Sequence, residues 1–253
     1  MREYFIALLM ICPAIGADET SMIAPICDVR VVATFPHDVA AFTQGLVIVD
    51  GQLFESIGLY GKSALRRVNL PSGQVLQETR LAAEVFAEGL TAWREQLVQL
   101  TWREELALIY DREQLQPVDY FEYRGEGWGI TSDGTHWIIS NGSAELRWFD
   151  PMTRRVVRRL TVHDGERPIT ALNELEWIDG EIWANVWQQN VIARIDPTSG
   201  AVNSWLNLHD LLPDIARSNR DAVLNGIAYD TTSQRIFITG KYWPTLYQIE
   251  PTP

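Results

Sequence analysis

A pattern of polar residue, small residue and apolar residue leading into a strand recurs along the chain, and no other feature restricts the fold as strongly. It occurs at Gln44-Gly45-Leu46, Glu88-Gly89-Leu90, Trp128-Gly129-Ile130, Asn173-Glu174-Leu175 and Asn225-Gly226-Ile227, with spacings of 44, 40, 45 and 52 residues. A turn signal follows each, at Asp50-Gly51, Trp93-Arg94, Asp133-Gly134, Asp179-Gly180 and Asp230-Thr231. After each turn comes a β-rich run, LFESIGLY, LVQLTW, HWIISNG, EIWANVW and RIFITGKYW in turn. Three or four short strands in a unit of about 40 to 45 residues is the spacing of propeller blades. Five units predict an all-β, five-bladed β-propeller.

The two ends of the chain complete this count. The last unit, 225–253, has only 29 residues, enough for three strands. The run VRVVATF, Val29 to Phe35, precedes the first unit and belongs to no blade. It is expected to supply the missing strand of the last blade and so close the ring without open edges. The longest spacing contains LHDLLPDIARSNRDAV, read as a short helix and loop on a rim. No Gly/Ser/Pro-rich linker divides the chain.

Composition adds bounds on location and partners. A chain of 253 residues that is 46% apolar can bury a core, and a net charge of -12 disfavours phosphate backbones and anionic membranes. Residues 1–17, MREYFIALLMICPAIGA, combine a cationic start, a short apolar run and small residues, as an export signal does. Residues 18–253 are then one propeller domain, exported to the periplasm or secreted, with no stable membrane anchor. Cys12 would leave with the signal, so the mature protein would carry Cys27 and no internal disulfide.

Propeller geometry places equivalent positions of the innermost strands around the central channel. Gln44, Glu88, Trp128, Asn173 and Asn225 are therefore expected to converge, with Gly58, Trp102, Gly142, Trp187 and Lys241 forming a second ring from the next strand. The ordinary reading of each is different: a Glu before Gly is usually a solvated turn residue, Asn often caps a strand end, and Lys is usually at the surface. Alignment of the units favours a shared pocket, because all five put a large polar or aromatic group at the same place. Trp93, Trp137, Trp177 and Trp205 are better read as packing between blades. The four histidines are dispersed with no metal-ligand spacing, no GxSxG elbow exists, and GEGWGI at 125–130 is neither a dinucleotide fingerprint nor a P-loop.

The strings FTQGL (42–46), FAEGLT (86–91), LTW (100–102), GEGWG (125–129), LNELEW (172–177), ANVW (184–187), LNGIAYD (224–230) and TGKYWP (239–244) together resemble the glutaminyl-peptide cyclotransferase family of plant and bacterial type. The resemblance runs in order from about residue 35 to residue 250. It implies a five-bladed propeller that converts N-terminal glutaminyl residues of peptides or proteins to pyroglutamyl with loss of ammonia, without a catalytic metal or other cofactor. It also implies Glu88 as general acid/base and Phe42, Gln44, Phe86, Trp102, Trp128, Asn173, Trp187 and Lys241 as pocket residues, with Asn225 in a family motif and grouped with them. Two positions depart from the family's commoner residues: Asn141, where an acidic residue is usual, and Ile57, where Thr is.

The residue set suits that chemistry. One carboxylate can take a proton from the attacking α-amine and return it to the leaving nitrogen. Indole N–H groups or Lys241 could stabilise the oxyanion, while Gln44 and Asn173 hold amine and amide. The expected partners are peptides with N-terminal Gln bound to a monomer, and no nucleic acid. A metal-dependent lactonase-like propeller hydrolase and a non-catalytic propeller that binds peptides or sugars are the alternatives; calcium would normally want more carboxylate than this ring offers.

Overall fold

The structure is a computed structural model that describes residues 24–252; the export signal expected at 1–17, and Cys12 within it, lie outside them. Five sheets stand around a central axis. The first four blades each begin at the axis and run outwards in chain order, over 43–80, 87–122, 130–161 and 172–207. The fifth holds Leu224–Asp230, Arg235–Gly240 and Thr245–Pro251, with Val29–Pro36 antiparallel to the last of these as its outermost strand. Two residues earlier, Ile26–Cys27 runs parallel to Val202–Asn207 on the outer edge of the fourth blade. The N-terminal segment thus joins blades four and five before the first blade begins. Cys27 is buried there and is not a free thiol in the full-length chain.

Local chemistry accounts for the hairpins. Asp50-Gly51 and Asp179-Gly180 both have positive φ at the two turn residues, 51° and 73° in one, 49° and 87° in the other. That pair of conformations matches the twist of the flanking strands, and Asp-Gly adopts it readily. The rim segment forms a 3-10 turn at His209–Leu211 and a short helix at Asp214–Ser218. A small hairpin, His163–Asp164 with Arg167–Pro168, sits between blades three and four.

The core is distributed as five wedges, one between each pair of neighbouring blades. Side chains alternate along a strand, so one innermost strand serves two wedges. Leu46 and Ile48 pack against Ala228 and Phe237 of blade five. Val47 and the partly buried Val49 pack against Leu90 and Leu97 of blade two. Trp93 and Trp137 lie in the wedge between blades two and three, and Trp177 and Trp205 between three and four.

At the axis the innermost strands touch. A Cβ on Gly129 would lie 2.0 Å from the Asn173 carbonyl oxygen, and one on Gly45 would lie 2.3 Å from the Leu90 nitrogen. Larger residues there would push the strands apart. The fourth unit has Glu174 at the corresponding position, and its buried carboxylate crosses the axis. Oε1 accepts from Leu46 N at 3.3 Å and Oε2 from Ile227 N at 2.9 Å, joining blade four to blades one and five. One turn of the strand deeper, Glu176 Oε1 accepts from Tyr229 N at 2.9 Å and Oε2 from the Thr131 hydroxyl at 3.4 Å.

Two outcomes follow from this architecture. A chain beginning at His37 loses the outer strand of blade five and exposes the edge of Thr245–Pro251. It is expected to aggregate or melt well below a chain beginning at Asp18, measured by light scattering and thermal unfolding. Burial raises the Glu176 carboxyl from its ordinary 4.5 to about 8, against the opposing pull of the Tyr229 N–H. The folded protein therefore holds a proton that the unfolded chain releases near 4.5, so this contribution to stability is complete below that pH and is lost as pH rises to about 8. Glu176→Gln should flatten the fall of melting temperature between pH 5 and 8 relative to the unsubstituted protein.

Candidate active site

The residues aligned by the repeat meet at one end of the axis. A cavity of about 300 Å³ is lined by Phe42, Gln44, Phe86, Glu88, Trp102, Trp128, Asn173, Trp187 and Lys241. Leu59 and Asp221 complete its wall. Nine of the ten expected site residues reach the cavity; the tenth, Asn225, lies behind it.

The backbone explains the convergence. In blades one, two, four and five the innermost strand carries one extra residue at the ring position, a bulge that re-aims its side chain. The second ring is held by one recurring bond: the backbone N–H groups of Gly58, Trp102, Trp187 and Lys241 donate to the carbonyls of Phe42, Phe86, Ala171 and Val223, each two residues before a ring position. Blade three departs from this scheme, with Trp128 N donating to Ser140 O and Ser140 N to Gly129 O. There Gly142, at φ 77°, lies under the Trp128 ring, where a Cβ would be 2.7 Å from the indole.

Glu88 forms part of the floor and is only 5% exposed. Gln44 Nε2 donates to its Oε1 at 2.8 Å, and Asn225 Nδ2 donates in turn to Gln44 Oε1 at 3.3 Å and to Thr43 O at 2.9 Å. Asn225 therefore fixes which way the Gln44 amide faces. Burial pushes the Glu88 carboxyl well above the usual carboxylate range; Lys241 pulls it back, and Glu126 and Glu104 push it further up. Lys241 is 4% exposed, with Nζ 4.3 Å from the centre of the Phe42 ring. Burial lowers its ammonium from 10.5 to about 8, against the pull of Glu88 and Asp221. The cavity thus holds an acid made weaker and a base made weaker by the same desolvation.

Like Asn225 Oδ1 behind it, Asn173 Oδ1 is buried and without a hydrogen-bond partner. An unpaired buried acceptor is costly unless something else meets it, and this one belongs to a cavity-lining side chain. Aromatic rings make the walls: Phe86 lies 6.1 Å from Phe42 and 5.5 Å from Trp102, and Trp128 meets Trp187 edge-on at 5.8 Å. Trp187 stands at the mouth, 41% exposed.

One expectation fails in detail. The indole N–H groups of Trp102 and Trp128 are not offered to the cavity as oxyanion donors. Both donate to Glu126 Oε2, at 2.9 and 3.0 Å. Glu126 lies in the GEGWG string, which carries part of the family resemblance but in which the sequence alone singles out Trp128 and not Glu126. Asp221 stands in the longest inter-repeat segment, where no aligned unit marks it.

The sequence model of the family described as glutamine cyclotransferase matches residues 5–250. The glutaminyl-peptide cyclotransferase of Arabidopsis thaliana is 43% identical over 227 residues, covering 88% of this chain and 71% of that protein. The crystal structure of Myxococcus xanthus glutaminyl cyclase superposes with a TM-score of 0.85 at 35% identity, over 90% of this chain and 98% of the other. Matches of this extent in sequence and in fold make the chain a member of the glutamine cyclotransferase family.

Proposed function

We propose that this cavity is where the chain converts N-terminal glutaminyl residues of peptides and proteins to pyroglutamyl, with Glu88 as the single group that moves the proton. The observation that carries the reading is the desolvated Glu88 carboxyl, oriented by Gln44 on the floor of an aromatic-walled cavity with Lys241 as its cation.

The steps balance with the chain's own groups. The neutral α-amine attacks the carbon of its own side-chain amide, forming the ring C–N bond, and its proton passes to the Glu88 carboxylate. The amide oxygen becomes an oxyanion; with the Trp102 and Trp128 N–H groups held by Glu126, the Lys241 ammonium is the charge on the wall suited to meet it. Collapse breaks the bond to the side-chain nitrogen, Glu88 returns the proton to it, and ammonia leaves. A carboxyl raised by burial approaches the acidity of the amine it serves, which favours transfer in both directions. In this reading Asn173 Oδ1, which has no partner of its own, accepts an N–H of the substrate, and the aromatic walls enclose its methylene groups. Among the described residues no group of three or more His, Cys, Asp or Glu is gathered in one place. We further propose that residues 1–17 direct export; among the described residues no helix is long and apolar enough to cross a membrane.

Glu88→Gln should lower kcat for a Gln-peptide by roughly 10²- to 10⁴-fold with the fold unchanged. Ammonia release, circular dichroism and the effect of a strong chelator on the unsubstituted enzyme check this. Turnover by Glu88→Gln near that of the unsubstituted enzyme removes Glu88 from the mechanism, and chelator-sensitive activity restored by added metal favours the lactonase-like alternative.

The pH profile tests Lys241. As pH rises through about 8 the ammonium is lost, so activity should fall on that limb. Lys241→Met should abolish the limb and, because the cation holds the Glu88 carboxyl down, move the acidic limb set by Glu88 to higher pH. The substrate amine's own limb, near its ordinary value of about 7.7 to 8, should stay where it is.

A further inference from the structure

Two walls of the cavity come from different blades and share one anchor. Trp102 follows the strand Gln96–Thr101 of blade two, and Trp128 precedes the strand Ile130–Ser132 of blade three. Their indole nitrogens meet at a single atom, Glu126 Oε2. The other oxygen, Oε1, receives Arg103 Nε at 3.1 Å, and the Arg103 guanidinium lies 3.7 Å from the centre of the Trp102 ring. Trp102 is therefore held on its N–H edge by the carboxylate and on one face by the cation paired with it.

An indole has two rotatable bonds, and a partly exposed one on a cavity wall can turn in more than one way unless its N–H is engaged. With the N–H taken, each ring has a defined orientation relative to Phe86 and Trp187, the aromatic neighbours that continue the wall. We propose that Glu126 is a positioning residue of the active site, whose one carboxylate sets the orientation of both indoles and so the shape and polarity of the glutaminyl pocket. The assignment rests on the cyclisation reading above. It gives the pocket a division of labour. Polar contacts to substrate are left to Glu88, Gln44, Asn173 and Lys241, and the indoles present carbon to the methylene groups of the glutaminyl side chain.

A purely structural role for Glu126 would affect folding and leave the cavity chemistry alone. The positioning role makes different demands, which kinetics of Gln-peptide cyclisation can read in the whole enzyme. Glu126→Ala should lower kcat/KM about 10- to 100-fold, the scale expected when reacting groups are misplaced by an ångström or so. Glu126→Gln keeps an acceptor oxygen and should recover much of the loss. It also removes a negative charge that acts on Glu88, so its acidic limb should move to lower pH. If the effect runs through the indoles, Glu126→Ala should cost less when introduced into Trp102→Phe than into the unsubstituted enzyme.

Indole N–H resonances in ¹H–¹⁵N spectra provide a readout that needs no activity. Trp102→Phe and Trp128→Phe assign the two signals, and both should move in Glu126→Ala, and to a smaller extent in Glu126→Gln if the alanine variant does not fold. Unmoved signals, or undiminished kcat/KM in Glu126→Ala, overturn the positioning role. Absence of cyclisation by the unsubstituted enzyme would instead defeat the reading of the cavity, and the resonances would still decide whether Glu126 holds the indoles.

Discussion

The close contact of five innermost strands at the axis is the constraint on which the rest of this structure depends. Where Gly129 passes the Asn173 carbonyl and Gly45 passes the Leu90 nitrogen, no side chain fits. Backbone therefore packs on backbone, and the single large exception, Glu174, uses both carboxylate oxygens to bind two other blades across the gap. A buried carboxylate is stabilised only if its oxygens find donors, and each of these does. The wedge packing between blades follows from this arrangement, because strands fixed this closely at the centre diverge outwards and leave wedge-shaped space for Leu, Ile, Phe and Trp side chains.

The same closeness builds the site. A bulge, beside a glycine in blades one, two and five and beside Glu174 in blade four, turns the ring residue along the axis, towards the end where the second ring supplies its own side chains. Glu88 and Lys241 are both desolvated by this arrangement, which weakens the one as an acid and the other as a base, and each moderates the shift of the other through its charge. A carboxyl raised by burial, beside an ammonium that limits the rise, suits the single-group proton transfer proposed for Glu88. The hydrogen-bond series from Asn225 through Gln44 to Glu88 shows how the ring also orients its members. A residue from blade five aligns one from blade one, which aligns the carboxylate of blade two.

Much of this was legible in the chain because a repeat converts spacing into position. Once five units were aligned, the equivalence of Gln44, Glu88, Trp128, Asn173 and Asn225 placed them on one ring, and the unassigned strand at Val29 pointed to the outer edge of the last blade. Asp221 carried no such mark, since it stands in a segment that has no counterpart in the other units. Glu126 was visible but unassigned: its place depends on two indoles from different blades converging on one oxygen, and their separation along the chain carries no hint of that. Asn225 was set on the ring, and in the structure it lies behind the cavity lining and donates to Gln44 and Thr43.

The order of residues was therefore enough to establish the number of blades, the way the ring closes and which side chains face its centre, because strand alternation and a periodic turn pattern are local properties that repeat. Folding in three dimensions alone decided which of those side chains meet the cavity, which of them only hold a neighbour, and where the indole N–H groups are directed. Those outcomes turn on hydrogen bonds across blades, such as Glu174 to Ile227 and Leu46, and on a burial that moves Glu88 and Lys241 in opposite directions. Both exist only once the ring has closed and water has been excluded from its centre.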